Sequence, residues 1–81
     1  MPTVEETLKT IETAEALLPS VKNEEFREHH RSLLWLGKEL CKACTAALAK
    51  PETLEKLDKG SSILLNNIVE QIRLEKVLQT N

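Results

Sequence analysis

Cys41 and Cys44 are the residues of this chain whose types and spacing come nearest to a chemical site. A Cys-x-x-Cys pair is half of a zinc site, or a redox couple. Zinc takes about four ligands. The nearest histidines, His29 and His30, belong to the same helical pattern, and His30 lies roughly 16 Å of helix from Cys41. They cannot share an ion within one chain. A redox pair works where a helix N-terminus lowers the thiol pKa, whereas these cysteines fall in the second half of a long helical stretch. They read as two small apolar residues, buried or half-buried against a neighbouring helix. The alternative is a metal- or redox-responsive regulator that uses Cys41 and Cys44 across an oligomer interface.

The remaining chemistry-bearing residues are weaker. Adjacent side chains on a helix diverge by about 100°, so His29 and His30 are expected to flank an apolar stripe as boundary residues. Glu25 stands one turn before His29 and could pair with its protonated form. Neither Glu-x-x-His nor His-Glu-x-x-His occurs. Gly60-Ser61-Ser62 follows no strand, which removes a nucleophile elbow, and Gly37 and Gly60 stand too far apart for a phosphate loop. The carboxylate pairs Glu5-Glu6 and Glu24-Glu25 sit at helix starts, where the dipole explains them. These residues point away from an enzyme and imply no cofactor.

The elements that would carry these residues are helices. The chain has 81 residues, enough for one domain over 1–81 with a modest core. Its two aromatics are Phe26 and Trp35, so Leu, Ile, Val and Ala must supply the burial. A first helix is expected over about 4–18, opened by Thr3 and Glu6 in a capping-box pattern and stopped by Pro19. Its stripe is Val4, Leu8, Ile11, Ala14 and Leu18. A second, about 24–49, follows Asn23 as N-cap. Its expected inner face is Phe26, Leu33, Leu36, Leu40, Cys44 and Ala47, with Leu48 at the edge. A third, about 52–79, begins after Pro51 and keeps its stripe in phase across Gly60 through Leu54, Leu57, Ser61, Leu64, Leu65, Ile68 and Ile72. A break at Gly60 is the alternative.

Short loops make neighbouring helices antiparallel. The fold class is therefore all-α: a long α-hairpin plus a shorter N-terminal helix, expected to associate into a larger bundle. The first helix should cover Phe26 to Leu36 and the later half of the third. Leu40, Leu48, Leu54 and Leu57, at the closed end of the hairpin, would then lack full cover, which calls for company.

Two outer faces stand out. Trp35 projects opposite the expected stripe, among Arg31, Lys38 and Lys42. Trp and Arg are enriched at interface hot spots; the plainer account is a tryptophan shielded by Arg31 or Lys38 through cation–π contact. On the third helix Ile63, Asn67, Glu70, Leu74 and Val77 recur at coiled-coil spacing. The function expected is a non-enzymatic interaction and self-association module. Its partner-binding residues would be Arg31, Trp35, Lys38, Lys42, Ile63, Asn67, Leu74 and Val77, and its partners a second copy in a homodimer and another protein.

Several classes are disfavoured. A net charge of −2 is a poor field for nucleic acid. No apolar run approaches the ~20 residues of a membrane span, and the acidic N-terminus lacks a signal-peptide core. Two cysteines at this spacing do not form a secreted disulfide framework, so the expected location is intracellular, cytoplasmic by default.

Overall fold

A computed structural model describes residues 2–47 and 50–79. The described residues form three α-helices, α1 (Val4–Leu17), α2 (Glu24–Ala47) and α3 (Pro51–Gln79), with a 3-10 turn at Leu18–Ser20 and no strand. Leu48 and Ala49, expected in the last turn of the second helix, lie outside the described residues, as do the side chains of Ala46 and Ala47.

Local chemistry sets the boundaries. The Glu6 amide donates to Thr3 Oγ1 at 3.1 Å, capping α1. Pro19 sits in the 3-10 turn directly after α1. The Phe26 amide donates to Asn23 Oδ1 at 2.9 Å, capping α2. The α3 helix runs through Gly60 without a break. A mid-helix glycine costs about 1 kcal/mol relative to alanine, and the in-phase apolar stripe on both sides outweighs it. Ser61 is buried within that stripe, and its hydroxyl donates to the Leu57 carbonyl at 2.7 Å.

The bundle is elongated, 50 × 21 × 15 Å. The α1 helix packs on both long helices, antiparallel to α2. Ile11, Ala14 and Leu18 from α1 and its turn meet Val21, Leu34, Cys41 and Ile68 in one buried cluster. Thr7 is buried too, and its hydroxyl donates to Asp58 Oδ1 at 3.0 Å. Gly37 makes room for this seat: a Cβ there would lie 3.2 Å from Ile11 Cδ1.

Three expectations need correcting. The inner face of α2 is His30, Leu34, Gly37 and Cys41, whereas Leu36 and Leu40 are 49% and 44% exposed. The helix is turned by about a quarter turn, close to the 100° step of one residue, from the face its leucine count suggested. The turn sets Gly37 against α1, where a Cβ would lie 3.2 Å from Ile11 Cδ1. For the same reason His30 is not a boundary residue. It follows the inward row one turn before Leu34, is buried, and stacks on Phe26 with ring centroids 3.8 Å apart. Its Nδ1 lies 3.0 Å from the Phe26 carbonyl. Because a carbonyl only accepts, that nitrogen carries the proton.

The third correction is the reach of α1. It extends past Leu36, with Val4 and Leu8 lining a hollow beside Cys41 and Thr45, and Thr7 meets Asp58 in the first third of α3. The connection from Leu18 to Asn23 occupies the length of the first turns of α2, which shifts α1 toward the closed end of the hairpin.

That connection is tied down by Glu75. The Lys22 and Asn23 amides donate to its two carboxylate oxygens at 2.7 and 2.9 Å, and Gln71 Nε2 donates at 3.1 Å. The Lys22 amide above all holds the carboxyl below its usual range, against the opposing effect of burial. A depressed folded-state pKa contributes stability above the unfolded carboxylate value, near pH 4, and loses it as pH falls through the folded value. Glu75→Gln is therefore expected to lower Tm at pH 7, and the gap between parent and variant to close toward pH 3. A gap that stays constant across that range would remove the carboxylate from the account.

Candidate functional site

The turn of α2 leaves an open side. Opposite α1, between the two long helices, lies a groove of about 500 Å³. Leu33, Leu36 and Leu40 form one wall, and Leu57 and Leu64 with Thr53 and Lys56 form the other. Gly37 and Gly60 thin the two walls. The two glycines differ in kind. The space above Gly37 is used by Ile11, but a Cβ at Gly60 would meet nothing within 4 Å. The helix cost of Gly60 therefore brings no closer packing among the described residues.

Lys56 is the charged residue in this apolar lining, and it has no ion pair among the described residues. Glu39 is not in the lining; it is half-buried and accepts from Lys42 Nζ at 3.2 Å. Along α3, Lys56, Gly60, Ile63 and Asn67 follow at three- and four-residue spacing, with Leu74 two turns further, so they form one row. Ile63 is 58% exposed and Leu74 49%. The row carries the groove wall on past Leu64.

The residues expected to bind a partner are thus divided. Ile63, Asn67 and Leu74 lie along the row that runs on from the α3 wall, outside the groove lining, and Val77, 53% exposed, lies farther round α3. Trp35 is 61% exposed, but on the side of α2 away from the groove. The cations around it are each engaged: Arg31 with Glu28 at 2.6 Å, Lys38 with Glu15 at 3.0 Å, Lys42 with Glu39 at 3.2 Å. That face is consequently not a basic stripe, and the two cations that could have shielded the indole point to carboxylates. Leu36 and Leu40, which the sequence reading put on the inner face, line the groove instead. The signal that could have found Leu40 was already there, in the uncovered leucines at the closed end of the hairpin.

The cysteines occupy a different environment. Cys41 is 2% exposed, and burial, then the neighbouring Cys44, pushes its thiol pKa up. A reactive thiolate needs the reverse shift. No cluster of three or more potential metal-ligating side chains occurs among the described residues, and none of the described helices is long and apolar enough to cross a membrane. No family model, curated protein or solved structure matches the chain.

Proposed function

We propose that this protein is a non-enzymatic interaction module that self-associates by packing its outward apolar helix faces against another helical surface. The observation that carries the reading is the groove. Leucines from two long helices line it, one of its glycines has open space above it, and no element of the described chain covers it. Burial of such a surface is the principal driving force for helix-to-helix docking. The regulator based on Cys41 and Cys44 gains no support: Cys41 is buried in the core of its own chain, and its thiol is pushed away from the thiolate that redox chemistry requires.

Sedimentation velocity from micromolar to millimolar concentration tests the proposal. The parent chain is expected to shift from monomer to a larger species. Leu40→Glu, which puts a carboxylate in the groove wall, is expected to stay monomeric with its helix content intact. A parent chain that remains monomeric throughout would sink self-association. Loss of association in Trp35→Glu but not in Leu40→Glu would move the contact to the outer face of α2.

A further inference from the structure

Resting on that reading, we infer that Gly60 is a hinge in α3, which lets the α3 wall of the groove bend and so adjusts the groove to its occupant. The two parts of that wall lie on either side of the glycine: Thr53, Lys56 and Leu57 before it, Ser61 and Leu64 after it. A bend at Gly60 therefore moves Leu57 against Leu64, and changes how far Leu57 stands from the leucines of α2.

Nothing among the described residues requires a glycine at position 60. Its backbone is helical, so no left-handed turn demands one. A Cβ would meet nothing within 4 Å, so no close approach demands one either, whereas Gly37 makes room for Ile11. Glycine nonetheless weakens a helix interior more than any residue but proline, and Gly/Ser pairs are among the few causes of helix kinks. Here Gly60 is followed by Ser61 and Ser62. The Ser61 hydroxyl donates back to the Leu57 carbonyl at 2.7 Å, a bond that slightly destabilises a helix and tends to bend it. It also gives that carbonyl a second donor as the Ser61 amide draws away.

The packing on the two sides of Gly60 is unequal. None of residues 51–60 is buried, and Leu54, Leu57 and Asp58 are half-buried. Beyond the glycine, Ser61 and Ile68 are buried. The first part is held to α1 by the hydrogen bond from Thr7 to Asp58, at 3.0 Å, and by Leu57 against the core cluster. Segments with few buried apolar contacts open below the free energy of global unfolding. The closed end of the hairpin is thus the lighter arm of the hinge, and central α3 the fixed one.

Amide hydrogen exchange resolved by residue tests the hinge. In an α-helix the amides of Ser61, Ser62 and Ile63 donate to the carbonyls of Leu57, Asp58 and Lys59. These bonds span Gly60 and break when α3 bends there. After correction for intrinsic rates, the three amides are expected to exchange faster than those on either side, at Leu57 and at Ile68. Gly60→Ala, whose Cβ has open space, is expected to slow them about fivefold. Protection that rises steadily from Pro51 to Ile68 means fraying from the helix end and overturns the hinge. A protection minimum that Gly60→Ala does not slow overturns it too. Where the parent chain associates, an occupied groove pins its wall, so the minimum is expected to become shallower from micromolar to millimolar concentration. A minimum equally deep in the associated state breaks the link between hinge and groove. A parent chain that stays monomeric sinks self-association, while the exchange minimum still decides the hinge.

Discussion

Ile11→Ala is expected to destabilise the protein by about 2–5 kcal/mol, the range for truncating a fully buried aliphatic side chain in a core that relaxes only in part. Ile11 is wholly buried and stands where all three helices meet, over Gly37 of α2 and in the same cluster as Ile68 of α3. Typical net stabilities are about 5–15 kcal/mol, and a bundle of this size sits low in that range. A loss of that order leaves a large unfolded fraction at room temperature. Urea denaturation followed by helix signal would show it as a fall in midpoint with little change in slope. A shift of under about 0.5 kcal/mol, the scale of an ordinary surface substitution, would mean that α1 does not rest on Ile11.

The second large effect separates two orientations of α2. Leu34→Glu is expected to abolish cooperative unfolding and most of the helix signal, whereas Leu36→Glu leaves both close to the parent. Leu34 is 1% exposed and Leu36 is 49% exposed. At Leu34 the substitution removes a buried side chain, worth about 2–5 kcal/mol, and adds the cost of a carboxyl without a partner, roughly 2–7 kcal/mol more. The sum is comparable with the whole stability of the domain. At Leu36 the carboxylate stays in water. The face read from leucine count alone would give the opposite order, so thermal melts of the two variants decide the matter directly.

That contrast also shows where the sequence was legible. Caps and stops are written in a few adjacent residues, and Thr3, Asn23 and Pro19 act where their types say they should. Phase is written in spacing, so the α3 stripe through Ser61 and Ile68 could be followed across Gly60. The rotation of α2 is not written locally. Leucines occur on two of its sides, and the core side carries His30, Gly37 and Cys41 beside Leu34, residue types that a hydrophobic pattern passes over. Which side faces inward depends on the packing of α1, an element away, with Ile11 against Gly37. The groove was half legible for the same reason: the lack of cover at Leu40 could be anticipated, but not that Leu36, placed under α1, would be exposed while α1 covered the opposite side.

The seat of α1 has a consequence for how the molecule comes apart. Its ties to α3 join distant parts of the chain: Thr7 bonds Asp58 across 51 residues, and the connection after α1 is held by Glu75 across 52 and 53. A loop of that length must close before any of these contacts forms. The α2–α3 hairpin can zip from its short turn, yet until α1 docks its Ile68 and Leu34 remain wet. Docking and burial are therefore one event. In hydrogen exchange, the slowest amides of α1 and those of central α3 are therefore expected to open together, at the free energy of global unfolding.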